Sequence, residues 1–230
     1  MNVRHVENSI VKIDEAEALR YLGCKNKEID EETNRLLKES IAELQEISRL
    51  RYVYEIFAIE KKNNNISFEN KINIKSDDLS KLFMHCDKAA VMAATIGFDA
   101  EKRIKYYSVS NLSKAVVFDA CAASCIEALC DMAEAEIKAI AEDEGCSITY
   151  RYSPGYGDVS VSHQGEILSA LNAQRLIGLT ASDSSILIPR KSVTAFIGFD
   201  KSNTLHEKSC LNCNLMGNCI YRGRRNTCVK

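Results

Sequence analysis

One segment of the chain, residues 151–158, combines residue types that proteins use in ligand-binding loops. It reads Arg-Tyr-Ser-Pro-Gly-Tyr-Gly-Asp and contains one of only two prolines in the sequence. Glycine accepts backbone conformations that other residues avoid, proline fixes one backbone dihedral, and the planar guanidinium of Arg151 can donate to a carboxylate. A small anionic, partly aromatic ligand would fit such a loop. The same composition also suits a tight turn after a strand, with Arg151 paired to a surface carboxylate.

A second candidate site lies near the C-terminus, where Cys210, Cys213, Cys219 and Cys228 fall within 19 residues. Four thiolates can close around one tetrahedral zinc ion, and a small knuckle with almost no core would then depend on the metal for its fold. Zinc is the first choice. The same thiolates can hold an iron–sulfur cluster, which would give an electron-entry site, and His206 could replace Cys228 as a ligand. A flexible, thiol-rich tail is the third interpretation.

Composition limits the classes of protein that the chain can belong to. Its 230 residues are 46% hydrophobic, enough for one well-filled core, or a core with a small appendage. The 30 basic and 32 acidic residues nearly balance, which argues against nucleic acid or an anionic membrane as a partner. No apolar run approaches the roughly 20 residues that cross a bilayer, and the first 20 residues lack the apolar centre of a signal peptide. We therefore expect a cytoplasmic protein with reduced thiols.

The elements that must position these sites follow from local patterns. Residues 112 to about 142 are rich in alanine and free of glycine and proline, which predicts a long helix. Residues 88–96 form an apolar run of buried-strand length, after which Asp99 could cap a helix. Hairpin signals surround further strands, including residues 66–74 and 177–179. Helices mixed with mainly hairpin-connected strands predict an α+β domain.

Three cysteines within the predicted long helix have a different interpretation from the C-terminal cluster. Cys121, Cys125 and Cys130 follow each other at spacings of four and five, and the first two share a helix face. Their neighbours are largely alanine. We interpret all three as small core residues rather than as ligands.

Part of the chain resembles a known family, the activation domain of cobalamin-dependent methionine synthase. The resemblance lies in RYSPGYGDVSVSHQGEILSAL (151–171) and LIGLTASDSSILIPRKSVTAFIGF (176–199), and more loosely in EALRYLG (17–23) and ATIGFDAEKRI (94–104). It implies a free-standing activation subunit. Residues 1–203 would form a single curved α+β domain with a central, mostly antiparallel sheet flanked by helices. Residues 204–230, which the domains of that family do not require, would be the Cys-rich metal-binding knuckle predicted from the cysteine spacing, with a role separate from the methyl-donor site.

The resemblance also implies a site for S-adenosylmethionine. In that family the arginine equivalent to Arg151 holds the carboxylate of the ligand, and adjacent backbone groups recognise the adenine. Tyr156 matches the family's tyrosine, whose aromatic face can stabilise a sulfonium. Glu144 is the nearest match to an acidic residue of the family, and Gly157 with Asp158 departs from the proline that usually follows the tyrosine. The residues carried over as the cofactor site are Arg151, Tyr152, Ser153, Pro154, Gly155 and Tyr156.

The family reaction sets the expected function. Inactive cob(II)alamin is rescued by one electron and a methyl group from S-adenosylmethionine, so the subunit orients the methyl donor and needs no catalytic side chain. Asp158, His163 and Gly165 have the wrong spacing for the family's cobalamin motif, so the cobalamin must be carried by a partner. We expect that partner to be a cobalamin-binding methionine synthase subunit, with a flavodoxin- or ferredoxin-like electron donor.

Two other functions remain open from the sequence. The chain could reactivate another corrinoid methyltransferase, because nothing in it identifies the corrinoid partner. It could also be a non-enzymatic, metal-stabilised binding or assembly protein, in which the C-terminal cysteines carry the function and the segment around Arg151 is only a turn. S-adenosylmethionine affinity discriminates between these classes.

Overall fold

The computed structural model describes residues 1–24 and 28–202. The strands are β1 (Asn2–His5), β2 (Arg51–Lys62), β3 (Asn65–Phe68), β4 (Ile72–Lys75), β5 (Cys86–Thr95), β6 (Ser147–Ile148), β7 (Thr180–Ala181), β8 (Leu187–Ile188) and β9 (Ser192–Asp200). The helices are α1 (Glu15–Tyr21), α2 (Glu31–Ile47), α3 (Asp77–Leu82), α4 (Phe98–Ser110), α5 (Leu112–Asp143), α6 (Gln164–Ala170) and α7 (Ala173–Ile177).

The main sheet has seven strands in the order β4-β3-β2-β5-β9-β6, with β1 also paired to β2. Every pairing among these described strands is antiparallel. At the centre, Tyr52 of β2 faces Ala94 of β5, and Met92 of β5 faces Ala195 of β9. β7 and β8 form a separate two-stranded ribbon. The α+β class and the mostly antiparallel central sheet predicted from the sequence are therefore confirmed.

Helices cover both faces of this sheet, which explains the apolar run at residues 89–94 of β5, after the exposed Asp87 and Lys88. Successive side chains of a strand point to opposite faces, and here each face meets its own core. Helices α1, α2, α4 and α5 pack on one face, and α3, α6 and α7 on the other. A strand segment that is buried on both faces needs apolar residues at successive positions. Those of β5 are Ala90, Met92 and Ala94 towards the first core, and Ala89, Val91 and Ala93 towards the second.

The predicted long helix is α5, which spans 32 residues. It starts at Asn111, whose side-chain oxygen accepts from the amide of Lys114 at 3.0 Å, and this residue also separates α5 from α4. Cys121, Cys125 and Cys130 lie in the core, as the sequence indicated, with at most 2% of their surface exposed. Burial raises the pKa of Cys121 and of Cys125 to about 12, so both are thiols at neutral pH.

Three local predictions were wrong. Residues 66–74 are two strands rather than one, because Glu69 and Asn70 adopt positive φ and turn the chain between β3 and β4. Asp99 does not cap α4: the helix begins after Gly97 without a side-chain cap, and Asp99 pairs instead with Arg49 and Lys102.

The third error concerns residues 177–179, which the apolar pattern predicted as a strand. Ile177 ends α7, and Gly178 turns the chain with φ of +71°. Short apolar runs do not distinguish a strand from a buried helix end, and here the packing of α7 against β2 and β5 decided the outcome.

Candidate functional site

The loop of residues 151–158, which comes after β6, is joined to the sheet through its second residue, Tyr152. The backbone of Tyr152 exchanges two hydrogen bonds with Phe196 of β9, at 3.0 and 2.8 Å. Its ring is buried in the core, with 7% of the residue exposed, and its hydroxyl donates to the carbonyl of Tyr156 at 3.1 Å. Tyr152 therefore supports the loop from beneath.

The middle of the loop is a tight turn that needs its glycines. The amide of Gly155 donates to the carbonyl of Val159 at 2.8 Å, and that of Tyr156 to Ser153 at 3.1 Å. Gly155 has φ of +95°, and a Cβ there would come within 3.1 Å of a Val161 methyl. The turn leaves Tyr156 68% exposed as a residue, so its aromatic side chain is accessible to a ligand.

Arg151, at the start of the loop, lies among three carboxylates. Its Nη1 donates to Asp131 at 2.8 Å and to Glu134 at 2.6 Å, and its Nη2 donates to Glu127 at 3.1 Å. The Arg151 side chain is only 12% exposed. One cation among three anions leaves a net negative cluster, in which partial burial strengthens each interaction.

These three carboxylates were not among the site residues predicted from the sequence. Glu127, Asp131 and Glu134 all come from α5, at spacings of four and three, so they lie on one face of the helix. This spacing was the sequence signal that could have identified them as one cluster. Glu144, the acidic residue considered instead, caps the end of α5 and pairs with Lys88 at 2.7 Å, away from the Arg151 cluster.

A cavity of about 600 Å³ adjoins this cluster, between the start of α1 and α5. Glu127 and Asp131 belong to both the cavity wall and the ion pairs of Arg151, so the cavity and the cluster share one wall. Opposite them, Asp14 caps α1 by accepting from the amide of Ala16 at 2.8 Å. Such a wall favours a cationic ligand. Among the described residues that line the wall, the charged ones are Asp14, Glu15, Glu17, Glu127 and Asp131, with Lys12 as the one cation.

The remaining sequence candidates fall elsewhere or outside the described residues. His163 precedes α6 and lies 3.5 Å from Glu166, consistent with the start of a helix. Within residues 1–24 and 28–202, no group of three or more His, Cys, Asp or Glu side chains is placed to hold a metal ion. Nor does any helix in this part of the chain have the length and apolarity to cross a membrane. The predicted metal ligands Cys210, Cys213, Cys219 and Cys228 lie outside the described residues.

Comparison with known proteins identifies the fold. No family model and no curated protein matches the chain. Among solved structures, the MetH reactivation domain bound to AdoHcy matches with a TM-score of 0.69 and 14% sequence identity, over 89% of this chain and 80% of that one. The chain therefore has the fold of a methionine synthase reactivation domain, as the sequence resemblance implied.

Proposed function

We propose that this chain binds S-adenosylmethionine and acts as the reactivation subunit of a cobalamin-dependent methionine synthase. The observation that carries the proposal is the match, over 89% of the chain, to a reactivation domain whose crystal structure contains AdoHcy, which is S-adenosylhomocysteine. AdoHcy is the product that remains when S-adenosylmethionine gives up its methyl group. The chemistry of the site on this chain agrees with that ligand.

Charge is the first point of agreement. S-adenosylmethionine carries a sulfonium, an ammonium and a carboxylate, so it is a cation with one anionic end. Arg151 offers the planar donors that suit the carboxylate, while Glu127 and Asp131 offer acceptors for the ammonium. The cavity beside them carries the opposite charge to the ligand as a whole.

The ion pairs of Arg151 leave room for a ligand. They use three of the five N–H donors of the guanidinium. A ligand carboxylate can accept from the others, or replace Asp131, whose side chain is 55% exposed. The carboxylates hold Arg151 in place before the ligand arrives, which lowers the entropy cost of binding.

The proposed role needs orientation more than acid–base chemistry. S-adenosylmethionine would supply a methyl group to a reduced corrinoid on a partner protein, with the electron coming from a flavodoxin- or ferredoxin-like donor. Methyl transfer of this kind moves no proton, so no side chain has to act as acid or base. The contribution of the chain is to fix the donor through Arg151 and the loop to Tyr156, with the methyl group facing the partner.

Calorimetric titration of Arg151→Gln with S-adenosylmethionine tests the proposal. We expect wild-type protein to bind saturably and the variant to lose at least about 10-fold in affinity, since a partly buried charge pair is broken. Arg35→Gln is the matched control, because Arg35 also bridges carboxylates of one helix, Glu32 and Glu39, but lies on α2 away from the loop. Its affinity should equal that of wild type.

Two results would count against this function. Equal affinities in folded Arg151→Gln and wild-type protein would remove the site assignment, and wild-type protein that binds no S-adenosylmethionine would remove the function itself. Co-elution with a cobalamin-binding methionine synthase subunit, compared with another corrinoid protein, then decides which partner the chain serves.

A further inference from the structure

The far side of the loop, Gly157 with Asp158, departs from the family pattern and contacts a distant helix. The carboxylate of Asp158 accepts hydrogen bonds from the Ser76 hydroxyl and from the backbone amides of Asp77, at 2.6 Å, and Asp78, at 3.4 Å. These groups are the cap and first residues of α3, about 80 residues earlier in the chain. One side chain thus joins the candidate ligand loop to the start of a helix.

The contact satisfies groups that α3 could not satisfy alone. The first amides of a helix have no partner within it, and a nearby carboxylate is favoured by their partial positive charge. The Ser76 hydroxyl accepts from the amide of Leu79 at 2.9 Å, and the Asp158 carboxylate accepts from those of Asp77 and Asp78. Partial burial by itself raises the pKa of Asp158, but the hydrogen bonds outweigh it and hold the pKa below the ordinary 3.8. The carboxylate is therefore ionised at neutral pH.

The helix also reaches back to the loop. The carboxylate of Asp78 lies 3.5 Å from the hydroxyl of Tyr152, the same hydroxyl that donates to the carbonyl of Tyr156. The single proton of that hydroxyl goes to Tyr156, so Asp78 is a close neighbour of the loop, while the hydrogen bonds of Asp158 join α3 to it. In the sequence, Gly155 and the exposed Tyr156 lie between Tyr152 and Asp158.

We propose that Asp158 is a positioning residue: by capping α3 it fixes the far side of the loop and holds Gly155 and Tyr156 in the arrangement that binds the methyl donor. This inference rests on the proposed function. Both Gly155 and Gly157 have positive φ, and glycine loses more conformational entropy than any other residue when it is ordered. If Asp158 orders these two glycines before the ligand arrives, binding the ligand costs less conformational entropy and its affinity is higher.

The experiment compares Asp158→Ala and Asp158→Asn with Asp30→Ala in the full chain. Asp30 caps α2 through the amide of Thr33 at 2.7 Å, so its loss removes a cap of the same kind far from the loop. Three quantities are measured for each protein: S-adenosylmethionine affinity by calorimetry, hydrogen exchange of peptides covering residues 153–157, and the midpoint of thermal unfolding. The unfolding midpoint reports the stability cost common to both caps.

In Asp158→Ala we expect about 5- to 10-fold weaker affinity and faster exchange of the loop amides. Asp158→Asn, which keeps an acceptor oxygen, should recover part of both. Asp30→Ala should lower the unfolding midpoint while affinity and loop exchange stay as in wild type. Unchanged loop exchange in Asp158→Ala, or an equal affinity loss in Asp30→Ala, would overturn the positioning role. If wild-type protein binds no S-adenosylmethionine, the proposed function fails, and hydrogen exchange still shows whether Asp158 orders the loop.

Discussion

At the scale of single residues, the most informative feature is the set of carboxylates that pair with Arg151. An arginine in a loop invites an anionic partner, but three carboxylates of α5 already surround this one. Under the proposed function, Arg151 would receive the ligand carboxylate and the carboxylates of α5 its positive groups, so a ligand with both charges would fit better than a simple anion. This combination leads to a prediction about which adenosyl compound the chain prefers.

Asp131→Asn should reduce the preference for S-adenosylmethionine over S-adenosylhomocysteine. The two compounds share their adenosine and amino-acid groups and differ by the methyl group and its positive charge, so their affinity ratio isolates the effect of that charge. Removing one carboxylate from the partly exposed cavity wall should lower the ratio about 2- to 5-fold. Both affinities are measured by calorimetry at low ionic strength.

The control for this ratio is Asp143→Asn, an exposed carboxylate at the end of the same helix. It should leave the preference unchanged. A ratio that is the same in Asp131→Asn and in wild type would show that the sulfonium does not sense the carboxylates of α5.

At the scale of elements, β5, β9 and the turn after α3 pack closely around Gly198 of β9. Gly198 of β9 faces Ala89 in the register, and it also pairs with Thr149, between β6 and the loop. A Cβ on Gly198 would lie 2.6 Å from the sulfur of Cys86 and 2.8 Å from the ring of Phe83. The absence of a side chain at this position is what lets the second core close against the sheet.

Gly198→Ala should therefore destabilise the protein, by about 1–3 kcal/mol, because the added methyl group overpacks the core. Gly165→Ala is the matched substitution in α6, where an added Cβ meets nothing within 4 Å. Alanine is the better helix former, so this variant should be as stable as wild type or up to about 1 kcal/mol more stable. Urea unfolding of both variants measures the difference, and equal stabilities would contradict the packing argument.

At the scale of the whole molecule, two apolar cores share one sheet, and the candidate site lies where Arg151 contacts α5, next to the cavity between α1 and α5. The residues assigned to this site all lie within the described part of the chain. The division into residues 1–203 and a metal-binding segment 204–230 stays a prediction, which metal analysis of the full chain can test.

Replacing Cys210 and Cys213 together with serine should remove the bound metal and leave S-adenosylmethionine affinity unchanged. Two of four thiolate ligands are lost, which a tetrahedral zinc site does not survive. Metal content is measured by mass spectrometry, which also separates zinc from iron. Cys24→Ser, a substitution outside the cluster, should keep the full metal content. Wild-type protein without zinc or iron would contradict the metal site.

The sequence by itself determined the features that depend on local periodicity and on single residues. The absence of glycine and proline predicted a long helix, which the structure shows over 32 residues. The apolar run at residues 88–96 predicted a buried strand, and the glycines of the loop indicated a turn, in which Gly155 has positive φ. The family resemblance at residues 151–199 predicted the fold, and the match to a solved structure confirms it.

Only the tertiary structure decided which charges meet. Arg151 finds its carboxylates between 17 and 24 residues away, and Asp158 finds the start of α3 more than 80 residues away. The spacing of Glu127, Asp131 and Glu134 along α5 shows that they share a face, but which face meets the loop depends on how α5 packs on the sheet. Backbone periodicity is a local property, whereas ion pairs and caps between distant segments form only when the layers of the fold bring those segments together.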